Sequence, residues 1–185
     1  MSLFEFVTVM VSMILALCLG HLLRSASFLA KTDREITHYA PFTLWSVVIL
    51  LAVVNHWWSL WDLRDVAWSY ASFVYILVAP LLVSFATGLM SPNQSKSGPI
   101  DLRAHYARIR RLFSAVYVAY ALFMWFDGPL FTEQAVFGVV GMMHVPIIAA
   151  TVVPGVSGND RANVVAPSAV ITVLLVVMVV RYSVA

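Results

Sequence analysis

Six long apolar segments alternate with short polar stretches along the chain: Leu3–Leu29, Pro41–Leu63, Ala67–Met90, Ala104–Phe126, Phe131–Val153 and Val164–Tyr182. Each is close to the roughly 20 residues that a helix needs to cross the hydrocarbon core of a bilayer. None shows the strict alternation over about 10 residues that marks an outer-membrane strand. The stretches between them carry turn formers, among them Pro92, Gly98 and Pro99, then Gly128-Pro129, then Gly155 and Gly158. The pattern predicts an all-α integral membrane protein, a single domain over residues 1–185 built as a bundle of six transmembrane helices. Only Arg64–Val66 separates the second and third segments, which predicts a tight antiparallel pair.

Composition agrees with lipid as the solvent. Of 185 residues 62% are hydrophobic and 11% charged, against roughly 25% charged for a soluble domain. A net charge of +2 gives no reason to expect nucleic acid as a partner. The one cysteine, Cys18, lies in the first apolar run and excludes an intramolecular disulfide. The N-terminus has Glu5 where a signal peptide has basic residues, so the first helix is expected to be retained.

The basic residues orient the bundle. Arg24, Lys31, Arg34, Lys96, Arg103, Arg108, Arg110, Arg111 and Arg161 fall on one side of a six-helix arrangement, and only Arg64 and Arg181 on the other. The positive-inside rule then places both termini outside and the loops after helices one, three and five in the cytoplasm. Trp57, Trp58 and Trp61 form an aromatic belt at the outer surface, with Asp62, Arg64 and Asp65 just beyond it.

Polar residues inside the spans are the candidates for function. In helix one, Glu5, Thr8, Ser12, Ala16, Gly20, Arg24 and Ser27 recur every three or four residues and share a face. Ser12, Ala16 and Gly20 suit close helix packing, as do Ser84 with Gly88 and Ala115 with Ala119. The helix-one face is either a packing seam or one wall of a wet path with Glu5 at its outer mouth. In helix two, Asn55, Ser59 and Asp62 share a face that leads from below the tryptophan belt to the outside, and His56 lies beside it. Asn55 either makes an interhelical hydrogen bond or lines that path. Pro80 is expected to kink helix three, and helix six reads as a lipid-facing wall. Arg103, Arg108, Arg110 and Arg111 open helix four as a cytoplasmic basic patch, which suits lipid phosphates or a protein partner.

Familiar catalytic patterns are missing from the sequence. No His-Glu-x-x-His, no Cys/His cluster and no Gly-x-Ser-x-Gly occurs. A haem needs two imidazoles at similar depth. Counted from the outer helix ends, His56, His144 and His21 lie about 10, 18 and 25 Å deep. No metal site and no cofactor are predicted.

Several short motifs carry a resemblance. Phe4-Glu5-Phe6, Asn55-His56-Trp57 with Leu60, Pro80 followed by Thr87-Gly88-Leu89, and Asp101-Leu102-Arg103 with His105-Tyr106 resemble a group of small, uncharacterised bacterial six-helix membrane proteins. The first three helices are more distantly similar to the endolysosomal potassium-channel family and its prokaryotic relatives. That family's Asn-His-His run falls on Asn55-His56-Trp57, and its Phe-Ser-Asp falls on Val7-Thr8-Val9, which keeps a hydroxyl and loses the acid. Its members assemble as tetramers around the first helix, narrowed at a position corresponding to Ile14. The resemblance implies a multi-pass protein of a bacterial inner membrane and a homo-oligomer acting on a monovalent ion. Together these readings make an ion or small-solute channel the leading expectation, with Glu5, Thr8 and Ser12 on the path and Asn55 and His56 tying helix two to helix one. The alternatives are a non-catalytic scaffold or sensor subunit that binds a cytoplasmic partner through its arginines, and a haem or redox membrane protein.

Overall fold

A computed structural model describes residues 2–92, 98–132 and 135–182, with the side chains of Arg181 and Tyr182 outside the description. Lys96, one of the basic residues that orient the bundle, also lies outside the described residues. The described residues are all-α apart from two short strands. The elements are α1 (Leu3–Lys31), β1 (Ile36–Thr37), α2 (Ala40–Ser59) continued by a 3-10 turn (Leu60–Leu63), α3 (Tyr70–Met90), β2 (Ile100–Asp101), α4 (Leu102–Phe131), α5 (Val139–Met142), α6 (His144–Val156) and α7 (Asp160–Tyr182). Among the described residues, six helical stretches are long and apolar enough to span a membrane, with α5 and α6 together making the fifth.

Local chemistry sets the starts of these helices. Ser2 and Glu5 form a reciprocal capping box on α1, and Ser69 and Ser72 form one on α3. Asp101 caps α4 by accepting from the Ala104 amide at 2.9 Å. Pro41 occupies the first turn of α2, where its missing N–H has no helical partner to lose.

Several boundaries differ from the sequence reading, and three of them have a clear local cause. α3 starts at Tyr70 rather than at residue 67, because its cap is Ser69; the connection from α2 is correspondingly longer. α4 runs through Gly128-Pro129 to Phe131 instead of ending at residue 126. A proline in the last turn removes one hydrogen bond and leaves the rest of the helix intact. The fifth span starts at Val139 rather than at Phe131, since Gly138 caps α5 after a turn.

Each spanning helix packs against two neighbours in the cyclic order α1, α3, α4, α6, α7, α2, and α2 also leans inward onto α3 and α4. α7 is therefore part of the packed ring, with Val170, Leu174 and Val177 buried, and not merely a wall against lipid. α3 continues through the buried Pro80. The interior is filled by aromatic rings. From one end to the other, His56 meets Tyr120, Tyr120 meets Tyr117, Tyr117 meets Trp45, and Trp45 meets Phe113, at centroid separations of 5.9, 5.5, 5.6 and 5.1 Å.

Polar contacts tie the basic end of the bundle together. β1 pairs in parallel with β2, Ile36 opposite Ile100. Gly98 precedes the second strand in the left-handed region, at φ 96°, where an L side chain would be strained. Tyr39 donates from its hydroxyl to Asp160 Oδ1 at 3.1 Å and accepts from the Asn163 amide at 3.3 Å. Burial pushes the Tyr39 hydroxyl above its usual pKa, which keeps it protonated as that donor. Arg103 meets the other Asp160 oxygen at 2.6 Å.

Candidate functional site

The tryptophan end of the bundle is where polar groups enter the interior. Asn55, Ser59 and Asp62 line one cavity, as their spacing along α2 and the 3-10 turn predicts. Its other walls come from α4, from α5 with α6, and from α7, and they add Trp125, Asp127 and His144. At about 50 Å³ it has space for a few water molecules.

Two local features build the wall opposite α2. The extension of α4 past Gly128 keeps Asp127 on a regular helix, near its end. The chain then folds back on itself, and Trp125 Nε1 fixes the fold by donating to the Val136 carbonyl at 3.0 Å. Gly141 makes this reversal possible, since a Cβ there would lie 2.1 Å from the Val136 carbonyl oxygen. The reversal lays the His144 ring flat against Trp125, with centroids 6.2 Å apart and planes 3° from parallel. His144 Nδ1 is 3.3 Å from the Gly141 carbonyl oxygen.

Asn55 and His56 form the boundary between cavity and core. Asn55 is 9% exposed, and its side-chain oxygen has no hydrogen-bond partner. His56 is 1% exposed, stacks on Tyr120 at 23° and has no partner at either ring nitrogen. Ser59 donates to the His56 carbonyl at 2.8 Å, so its oxygen keeps only acceptor capacity toward the cavity. Tyr120 donates to the Ala52 carbonyl at 3.3 Å. Beneath it the column of rings closes the bundle.

The helix-one residues belong elsewhere. Glu5 is exposed and serves as a cap, with Ser2 N donating to its Oε2 at 2.8 Å. Thr8 lies in an apolar groove with Phe4, Trp57, Trp58, Leu60 and Trp61, away from the cavity. Ser12 accepts from Trp57 Nε1 at 3.0 Å. The side-chain hydrogen bond between α1 and α2 is therefore made by Trp57, and His56, expected to make that tie, packs on α4 instead. Consecutive residues of a helix point about 100° apart, which accounts for the exchange.

The small residues divide similarly. Ala16, Gly20, Gly88 and Ala115 are exposed on the outside of the chain, and Ala119 is half-buried. Added Cβ atoms at Gly20 and Gly88 would meet nothing within 4 Å. Ser84 packs beside the buried Cys18 thiol. Within the chain, the close approach is made by a pair the spacing argument passed over. A Cβ on Gly155 of α6 would lie 2.8 Å from the Ser114 Cβ of α4.

The arginine cluster is split in the same way. Arg110 donates to the Pro154 carbonyl at 3.3 Å and to the Ser157 carbonyl, closing the C-terminal end of α6. Arg103 is engaged with Asp160, and Arg108 lies 3.3 Å from His105 Nδ1. Arg111 is exposed.

Sequence reasoning passed over Asp127, Trp125 and His144 as site residues. With the fifth span starting at Val139, His144 lies about 8 Å from that helix end, much nearer the depth of His56 than a start at Phe131 implied. An acid closing one helix and an imidazole opening the next at the same end of the bundle was the signal available. Comparison of the chain with family models, with curated proteins and with solved structures finds no match.

Proposed function

We propose that the protein is a multi-pass membrane protein that passes an ion or small solute, and that the cavity of Asn55, Ser59, Asp62, Asp127 and His144 is its outer vestibule. The observation that carries this reading is the convergence of these polar side chains, from separate helices, on one cavity at the tryptophan end. Polar side chains in a bilayer interior are costly unless they pair or face water, and in this arrangement they face a wet cavity. The positive-inside count supports placing that end outside the cell, with both termini on the same side. The aromatic column beneath Asn55 and His56 makes this a closed state, with Tyr120 as the first ring to move on opening. The resemblance to six-helix potassium channels supports a homo-oligomer in a bacterial inner membrane. The outward-facing Ala16 and Gly20 of α1 suit a contact between copies.

Proteoliposome flux under potassium, sodium, proton and chloride gradients tests the reading. Asn55→Leu is expected to reduce flux while leaving the fold intact. Flux unaffected by Asn55→Leu but blocked by Gly20→Leu moves the path to the α1 face between copies. Absence of flux under all four gradients from folded protein rejects the conduit. The scaffold alternative is weakened by the engagement of Arg103 and Arg110 within the chain, and rests on the exposed Arg108 and Arg111.

A further inference from the structure

A groove of about 480 Å³ runs between α4 and α6 at the basic end of the bundle, open on the outside of the chain. Small residues make it. The two helices come so close at Gly155 that a Cβ there would press on Ser114, and beside that contact Ala115, Val118 and Val152 leave an apolar slot. Arg111 lines the same groove, and no acid is among its lining residues.

Arg111 is exposed, and among the described residues it makes no hydrogen bond or ion pair. Its neighbours are engaged. Arg103 pairs with Asp160, Arg108 lies beside His105, and Arg110 bonds the Pro154 and Ser157 carbonyls. Arg110 thereby opposes the negative end of the α6 dipole and leaves Arg111 to meet an anion. The same contacts fix a level. They join α4 to the C-terminal end of an 18-residue span, so both arginines stand where that span leaves the hydrocarbon. A guanidinium at headgroup depth, above an apolar slot, suits the phosphate of a lipid as its counter-ion.

A second observation is independent of the charge. Ser114 is 5% exposed, and its hydroxyl has no hydrogen-bond partner in the chain. It lies one helical turn deeper than Arg111, about 4.5 Å along the axis. In a glycerophospholipid the ester oxygens lie directly beneath the phosphate, and the acyl chains beneath them. Guanidinium, hydroxyl and apolar slot follow one another along the groove in that order. The Ser114 Oγ rests against Gly155 and reaches an ester oxygen by moving to another staggered rotamer.

We propose that this groove binds one anionic glycerophospholipid, with its phosphate on Arg111, an ester oxygen on Ser114 and an acyl chain along Ala115, Val118 and Val152. The site goes beyond the conduit reading and rests only on the multi-pass one. It lies at the opposite end of the bundle from the cavity of Asn55. A lipid seated there braces α6 against α4.

The test uses the full chain in detergent, titrated with phosphatidylglycerol or phosphatidylcholine and read by native mass spectrometry. The expected result is saturable retention of one phosphatidylglycerol per chain and weaker retention of phosphatidylcholine. Arg111→Gln should raise the half-saturating phosphatidylglycerol concentration about fivefold or more, the loss expected for one arginine beside a lipid phosphate. Ala115→Leu fills the slot, leaves the charge, and should weaken retention comparably. Arg108→Gln, off the groove, should leave it in place. Equal retention of the two lipids, an unchanged response in Arg111→Gln or Ala115→Leu, or an equal loss in Arg108→Gln overturns the proposal. Full displacement of the lipid by inorganic phosphate also overturns it, since the site would then be one for a free anion.

A second copy of the chain is the rival occupant. Cys18, the single cysteine, is buried, so Val152→Cys presents one exposed thiol on the groove. Disulfide-linked dimers of this variant in vesicles place another chain there and reject the lipid; a thiol that stays unlinked supports it. On the native chain, Tm in nanodiscs should rise saturably as phosphatidylglycerol replaces phosphatidylcholine. A Tm indifferent to the replacement rejects the site. Flux plays no part in these readings, and a chain that enters neither nanodiscs nor vesicles rejects the multi-pass reading itself.

Discussion

Trp57 Nε1 donates to Ser12 Oγ at 3.0 Å, a side-chain hydrogen bond that joins α1 to α2. Hydrogen bonds between membrane helices contribute about 0.6 kcal/mol on average, because the separated helices also find partners. Ser12→Ala and Trp57→Phe are therefore expected to destabilise the bundle by about that amount each. The double variant should lose little more than either single one. Unfolding by sodium dodecyl sulfate in a double-mutant cycle measures this. Additive losses would show that the two residues act separately.

Gly155 and Gly20 make opposite predictions although both occur in apolar helices. α6 approaches α4 so closely at Gly155 that an added Cβ would press on Ser114 at 2.8 Å. Gly155→Ala is expected to cost about 1–3 kcal/mol, as overpacking does. Gly20→Ala has open space on the outside of the chain and should leave its unfolding midpoint nearly unchanged. Gly141→Ala should be the most damaging of the three, since the obstacle there is the Val136 backbone oxygen rather than a side chain that turns aside. The order Gly141, Gly155, Gly20 is readable from unfolding midpoints in one detergent.

This contrast explains how much of the molecule was legible in the sequence. The six long helices were visible because each is continuously apolar on its own, as a helix crossing lipid must be. The shared face of Asn55, Ser59 and Asp62 was visible because helical period is a local property. That Asp127 and His144 close the same cavity depends on α4 and α6 being neighbours in the ring, a non-local fact no spacing states. The end of α4 was misplaced because Pro129 in a final turn looks in sequence like a terminator. Small-residue spacing was ambiguous for a similar reason. It marks a surface fit for close approach without saying whether a neighbour within the chain meets it, as at Gly155, or whether it stays exposed, as at Ala16 and Gly20.

Arg110 should matter more to stability than its neighbours in sequence suggest. Its guanidinium bonds two carbonyls at the end of α6, where a cation also opposes the negative end of the helix dipole. Arg110→Ala is expected to cost about 1.5–3 kcal/mol, the range for hydrogen bonds to charged groups. Arg103→Ala should cost under about 1 kcal/mol, because its pair with Asp160 is mostly exposed, at 62% and 60%. Arg111→Ala should change stability little. Equal effects of all three in denaturant titrations would contradict the division of the cluster into contacts within the chain and exposed charge.

His56 separates packing from polarity most cleanly. Its ring is fully buried against Tyr120, and neither nitrogen has a protein partner. His56→Ala removes the stacking and opens a void under the cavity, with an expected loss of about 2–5 kcal/mol. His56→Phe keeps a flat ring, though a larger one, and removes two polar atoms that the fold does not satisfy. Relief of unpaired buried polar groups, about 1–3 kcal/mol each, offsets an overpacking cost of about 1–3 kcal/mol, so its stability is expected to stay near that of the native protein. Flux measured on the same variant then isolates the imidazole nitrogens. If His56→Phe folds well and conducts normally, the histidine is a spacer between vestibule and core. If it folds well and flux falls, the nitrogens supply the step from the cavity to the ring column, and Tyr120→Leu, which removes the ring stacked on them, should weaken flux in the same direction.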